Sequence, residues 1–278
     1  MSLFIASLNS GSNGNCYYVG NQQEAVLIDV GISCRETEKR MARLGLLMNK
    51  VKAIFVSHEH HDHIRGVPAL SKKYQIPVYI TKNTLNHGSL TLETHLTKTF
   101  ERYQDILIGS LSVSAFPKFH DAIEPHSFTV RGNNVTIGVF TDIGTVCEQL
   151  KSQFKKCHAA FLEANYDEDM LERGKYPFHL KRRIRGGSGH LSNKQALEVF
   201  TKCKSSYMSL VLLSHLSKDN NCPILSKELF SHHAGNTKVV VASRFEESQV
   251  YQINGSPEIQ IRPAKPVHRP SIQYSLFQ

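Results

Sequence analysis

The stretch His58-Glu-His60-His-Asp62-His63 sets imidazoles and a carboxylate in the spacing H-x-H-x-D-H, directly after the apolar run Val51 to Ser57. Imidazole nitrogen and carboxylate oxygen are the ligands that borderline divalent ions such as zinc prefer, and a bound cation offsets the cost of crowding titratable groups. Side chains at i and i+2 of an extended segment point the same way. His58 and His60 are therefore expected to serve one ion and, after a turn, Asp62 and His63 a second, with His61 turned away. A catalytic ion takes about three protein ligands and keeps a position open for water, so distant parts of the chain must supply more. The candidates follow hydrophobic runs: His120 after Leu111 to Phe116, Asp142 after Val135 to Phe140, and His215 after Leu210 to Leu213.

Residues placed in this way call for strands that end along one rim. Strand patterns are expected at 3–8, 16–19, 25–29, 53–57, 78–81, 111–116, 128–131, 135–140, 159–163, 210–213 and 238–242, and helical ones at 35–44, 66–74, 144–151, 194–202 and 224–232. Two β-rich halves with helices outside give an α/β, four-layer αββα sandwich.

On these residues the chain resembles a metallo-β-lactamase-fold hydrolase. The resemblance implies His58, His60 and His120 on one metal, Asp62, His63 and His215 on the other, and Asp142 bridging both. It also implies that Asp29, in Ala25-Val-Leu-Ile-Asp29, orients the ligands from behind. Six further segments narrow the likeness: Ser10-Gly-Ser-Asn-Gly-Asn15-Cys16, Phe119-His-Asp-Ala-Ile-Glu-Pro125, Thr141-Asp-Ile-Gly144, Leu162-Glu-Ala-Asn-Tyr-Asp167, Gly189-His-Leu-Ser-Asn193 and Leu213-Ser-His-Leu-Ser217. Together they resemble the YycJ/WalJ branch, whose members are regarded as metal-dependent DNA exonucleases. Arg65 departs from many relatives, which carry a small or acidic residue there. The 72 residues between Asp142 and His215 leave no room for the inserted β-CASP domain of RNA-processing nucleases. The mechanism implied is phosphodiester hydrolysis with two divalent ions, Zn or Mn, whose bridging hydroxide attacks the phosphate. Asp62 would orient that hydroxide or take its proton.

A net charge of +9 favours a polyanionic substrate. Lys181, Arg182, Arg183 and Arg185 concentrate it just before Gly189-His190-Leu-Ser192-Asn193. Ser192 with Gln195 reads as a capping box opening a helix, whose free amides would bind phosphate oxygens. His190 beside them is assigned to the substrate phosphate or the leaving oxygen rather than to a metal, against the plainer alternative of a histidine that holds the loop. The glycine-rich Ser10 to Asn15 fits an anion-binding nest or a hairpin turn equally well. A small-molecule metallohydrolase acting on a lactone, thioester or cyclic phosphodiester, or a ribonuclease, would use the same metal set.

With 278 residues, 40% of them hydrophobic, the chain suits one catalytic domain over residues 1–254. A proline-rich extended tail over 255–278 is expected to follow. It ends in Gln273-Tyr-Ser-Leu276-Phe277, which resembles the peptide that docks bacterial replication and repair proteins on the sliding clamp. No apolar stretch approaches the roughly 20 residues of a membrane span, and the N-terminus lacks a signal-peptide pattern. The six cysteines form no C-x-x-C pair, which suits reduced thiols and a cytoplasmic location.

Overall fold

The computed structural model describes residues 2–255 and 260–262. Its first sheet holds β1 (Leu3–Asn9), β2 (Cys16–Gly20), β3 (Ala25–Ile28), β4 (Val51–Phe55), β5 (Val78–Tyr79) and β6 (Thr97–Lys98). The second holds β7 (Asp105–Ile108), β8 (Leu111–Pro117), β9 (His126–Gly132), β10 (Val135–Phe140), β11 (Ala159–Glu163), β12 (Leu210–Ser214) and β13 (Lys238–Val241). Two last strands, β14 (Val250–Ile253) and β15 (Gln260–Arg262), return to the first sheet and complete the order β15-β14-β1-β2-β3-β4-β5-β6. The second sheet runs β13-β12-β11-β10-β9-β8-β7.

Helices cover both outer faces. On the first lie α1 (Cys34–Arg43), the single turn α2 (His61–Ile64), α3 (Val67–Tyr74) and α4 (Lys82–His87). On the other side come α5 (Glu148–Phe154), α6 (Glu168–Arg173), α7 (Phe178–Arg185), α8 (Asn193–Cys203) and α9 (Pro223–Ser231). None of these is long and apolar enough to cross a membrane.

Three apolar layers result. Alternate strand residues such as Ile5, Val26, Phe55, Phe128, Ile137 and Phe161 meet between the sheets. The opposite faces pack on the helices, through Met41, Val67 and Leu70 on one side and through Leu150, Phe154, Val199, Phe200 and Phe230 on the other. This is the expected αββα sandwich.

The strands read from sequence recur within a few residues. Those missed are short or peripheral: β6, β7, β14 and β15. β15 pairs with β14 through Val250↔Arg262 and Gln252↔Gln260, so the sheet crosses the domain boundary expected after Asn254. An edge strand needs only backbone groups to pair, and proline-rich surroundings hid this one. Residues 263–278, including Gln273, Leu276 and Phe277, lie outside the described residues.

Phe161 is fully buried between the sheets, with its ring centroid 4.8 Å from that of Tyr17. Phe161→Ala should lower the free energy of unfolding by about 3–5 kcal/mol, read from equilibrium urea denaturation. Phe178→Ala, at a ring 78% exposed, should stay within about 0.5 kcal/mol.

Candidate metal centre

Parallel strands bring the candidate residues to one rim. β3 and β4 are parallel, as are β10, β11 and β12, and β8 shares their direction through two antiparallel pairings with β9. Their C-terminal ends lie together, delivering Asp29, the His58–His63 turn, His120, Asp142, Glu163 and His215. Three of these leave their strands through the left-handed region: Asp29 at φ 61°, Asp142 at φ 55° and His215 at φ 56°. Asp and His enter that region at a modest cost, and the reversal turns each chain sharply off its strand. Gly31 is required by close approach, because a Cβ there would stand 1.6 Å from the carbonyl oxygen of Asp62.

His58 and His60 converge, but not through strand alternation. β4 ends at Phe55, His58 lies in the following turn, and His60 caps α2 with φ −61° and ψ 141°. Asp62 and His63 then face the site from one helical turn, while His61 is exposed.

The ring nitrogens form two clusters. In the first, His60 Nδ1 lies 3.0 Å from His58 Nε2 and 3.3 Å from His120 Nε2. In the second, Asp62 Oδ2 lies 3.6 Å from both His63 Nε2 and His215 Nε2. Asp142 stands between them, with Oδ2 3.3 Å from His63 Nε2 and Oδ1 3.9 Å from His120 Nε2.

The groups behind the rings fix which nitrogen faces inward. His120 Nδ1 lies 3.1 Å from the carbonyl of Gly189, which can only accept, so Nδ1 carries the proton and Nε2 presents a lone pair. His63 Nδ1 donates to Asp29 Oδ2 at 2.7 Å. Ser57 Oγ donates to the same carboxylate at 2.8 Å and so accepts from His58 Nδ1 at 2.8 Å. His215 Nδ1 donates to Glu163 Oε1 at 3.1 Å. Asp29 thus stands where the resemblance implies, behind the candidate ligands.

Inward-facing lone pairs repel one another unless a cation or proton lies among them. Asp142 Oδ2 and His215 Nε2 are buried atoms with no hydrogen-bond partner, so the donor set fits divalent metal ions. The electrostatics agree. Burial pushes His58 well below the usual histidine range and holds His120 at about 4. At His63 burial is outweighed by Asp142, Asp29 and Asp62, and at His215 by Asp142, Asp62 and Glu163, which lifts His215 to about 10. Burial would also raise Asp62, but His63 and His215 hold it down at about 2. The carboxylates of Asp29, Asp62, Asp142 and Glu163 thus favour positive charge among the rings.

Glu163 was not singled out from sequence, where it reads as the last residue of a buried strand. Its side chain is fully buried and saturated. Oε1 accepts from His190 at 2.8 Å and His215 at 3.1 Å, while Oε2 accepts the Ile143 amide at 2.7 Å and the Leu191 amide at 3.2 Å. Although Asp142, Glu163, His190 and His215 also cluster at ligand spacing, those bonds make Glu163 an anchor for His190, His215 and the backbone that follows Asp142. Asn15 was missed as well. It closes the hairpin between β1 and β2, which settles the glycine-rich loop as a turn, and its Nδ2 lies 3.1 Å from Asp62 Oδ2 and 3.0 Å from His63 Nε2.

His190 sits at the edge of the centre, its ring 5.2 Å from those of His120 and His215. It lines a cavity of about 200 Å³ with Asp121, Tyr176, Arg183 and Ser217. Of the helix amides expected to bind phosphate there, those of Ser192, Asn193 and Gln195 are taken. The capping box of α8 forms between Ser192 and Gln195, and the Asn193 amide donates to the Tyr166 carbonyl at 2.8 Å. Of the basic run on α7, Arg183 pairs with Asp121, and Lys181 and Arg185 both reach Glu172. All six cysteines are free.

A family described as the beta-lactamase superfamily domain matches residues 24–216. The exodeoxyribonuclease YycJ of Bacillus anthracis is 35% identical over 82% of this chain and 87% of its own length. The exodeoxyribonuclease WalJ of Streptococcus pneumoniae is 29% identical over 77% of this chain and 81% of its own. Among solved structures, the metallo-β-lactamase-fold protein YhfI of Bacillus subtilis superposes with a TM-score of 0.71 at 15% identity, covering 91% of this chain and all of that one. The chain belongs to the beta-lactamase superfamily, in its YycJ/WalJ-like, metallo-β-lactamase-fold branch.

Proposed function

We propose that this protein hydrolyses phosphodiester bonds with two divalent metal ions, as a DNA exonuclease of repair or replication working in the cytoplasm. The observation that carries the reading is Asp142, whose carboxylate lies between the two clusters, with Oδ2 3.3 Å from His63 Nε2 and Oδ1 3.2 Å from His215 Nδ1 and 3.9 Å from His120 Nε2. In this reading His58, His60 and His120 would hold one ion, Asp62, His63 and His215 the other, and Asp142 would serve both. Zinc suits the histidine-rich donors and manganese the carboxylates. Two such ions, when bound, would lower the pKa of a water and neutralise the phosphate.

The protein's own groups supply the rest. Asp62, held ionised and partly exposed, orients the attacking water by accepting its hydrogen bond. His190 has its Nδ1–H fixed on Glu163, which leaves Nε2 to carry a proton to the leaving oxygen. Arg183 of α7 lines the same cavity, and with the exposed Arg182 and Arg185 on that helix it adds positive charge that draws in a polyanion. DNA as the substrate is supported by the two relatives named exodeoxyribonuclease.

End-labelled single-stranded DNA, double-stranded DNA and RNA, incubated with the manganese- or zinc-loaded protein, should show progressive shortening of DNA from one end. Cleavage of RNA alone would make it a ribonuclease. No cleavage of any of them would sink the nuclease reading and leave a small-molecule metallohydrolase. Chelation should stop the reaction and added metal restore it.

His60→Ala and Asp62→Ala should each abolish turnover while circular dichroism and thermal melting stay close to wild type. Full activity of either in metal-defined buffer would refute the ligand assignment. Glu163→Gln replaces one accepting oxygen with an NH2 group, which must face either the two imidazole N–H groups or the two backbone amides that the carboxylate accepts. It should cost about 10–100-fold in kcat or metal affinity, and an unchanged kcat with full metal content would remove Glu163 from the site.

A further inference from the structure

A second recess lies beside the metal-facing cavity and belongs to no part of the centre. It measures about 220 Å³, with Lys218, Ser243, Arg244 and Phe245 on its walls and Ser10 beneath. The two cavities share Leu216 and Ser217. They are also tied from within. Ser10 Oγ accepts the backbone N–H of His215 at 2.8 Å, and Arg244 Nη2 reaches Ser12 Oγ of the metal-facing cavity at 2.9 Å.

Phe245 is unusual in combining exposure with fixity. Its side chain is 74% exposed. Its carbonyl accepts from the buried Arg40 Nη2 at 2.9 Å, and its amide donates to Ser243 Oγ at 3.0 Å. Arg40 is itself anchored on the Leu8 carbonyl at 2.7 Å and on Asn9 Oδ1 at 2.8 Å, at the end of β1. An aromatic ring is thus held out from a rigid backbone at the mouth of the recess.

The charge is one-sided. Lys218 and Arg244 line the recess, and among the described residues no carboxylate does. Asp219, next in sequence to Lys218, is engaged by the hydroxyl of Tyr176 at 2.9 Å. Arg244 Nη1 is a buried donor with no hydrogen-bond partner. A flat apolar face beside the ammonium of Lys218 and the guanidinium of Arg244 suits a nucleotide, whose base stacks while its phosphate pairs with the cations. A single strand offers its bases freely, whereas a duplex keeps them stacked on one another.

We propose that this recess binds one nucleotide of a single-stranded nucleic acid whose scissile phosphate lies at the metal centre, with its base on Phe245 and its phosphate on Arg244 and Lys218. The proposal rests on the phosphodiester-hydrolase reading above. It adds a subsite one wall away from the chemistry, and it makes single-stranded ends the preferred substrate.

The metal-loaded full-length protein, its Phe245→Ala, Phe245→Trp and Lys218→Ala variants, a single-stranded oligonucleotide and bis(p-nitrophenyl) phosphate provide the test. Phe245→Ala should raise KM for the oligonucleotide roughly five- to a hundredfold, the range lost with one stacked base, with kcat within about twofold. Phe245→Trp should restore KM, and Lys218→Ala should raise it and weaken its dependence on salt. Hydrolysis of the small diester, too short to reach the recess, should stay unchanged in all three. An oligonucleotide KM unaffected by Phe245→Ala in an active enzyme overturns the subsite, as does an equal loss on the small diester, which would mark a structural role. Wild-type protein that leaves every oligonucleotide intact fails the nuclease reading itself, a separate outcome.

Discussion

Two fully buried carboxylates hold this centre together. Removing a carboxylate from water costs several kcal/mol unless hydrogen bonds replace the solvent, and both Asp29 and Glu163 are supplied with them. Asp29 follows β3 in the first sheet and takes the Ser57 amide, the Ser57 hydroxyl and His63. Glu163 ends β11 in the second sheet and takes His190, His215 and two backbone amides. Each anchors groups from the loop after a neighbouring strand. The two sheets therefore contribute matched halves, and the metal-facing nitrogens point inward because proton acceptors stand behind them.

This arrangement explains why much of the candidate ligand set was legible and its supports less so. His58, His60, Asp62 and His63 crowd one segment, and His120, Asp142 and His215 follow hydrophobic runs. These signals survive in a one-dimensional reading. Glu163 looked like the end of a buried strand, and Asn15 like part of a turn, because their partners lie 52 and 48 residues away. The reason given for pairing His58 with His60 was also incomplete. A turn followed by one helical turn, rather than an extended strand, brings them together.

The fold was readable where strands are long and apolar, and obscure where pairing alone makes the strand. β6 is only Thr97–Lys98, and β15 is Gln260–Arg262 at the edge of the sheet. Neither carries a hydrophobic pattern, since each is defined by its neighbour's unpaired backbone groups. The helix N-terminus at Ser192 shows the opposite case. Its sequence signature was correct, but the capping box and the Tyr166 carbonyl occupy amides that an anion would need. A sound cap and a free anion site compete for the same donors.

The pairing of β14 with β1, Leu3 against Ile253, joins nearly the first described residue to almost the last. A growing chain therefore emerges with one side of β1 open and with Asp62 and His63 exposed long before His215 is made. Such late, long-range closure slows folding and prolongs the exposure of strand edges. Its other effect is protective: a partly synthesised chain carries some of the candidate metal ligands but no complete centre, so the enzyme gains its competence only after nearly the whole described domain has left the ribosome.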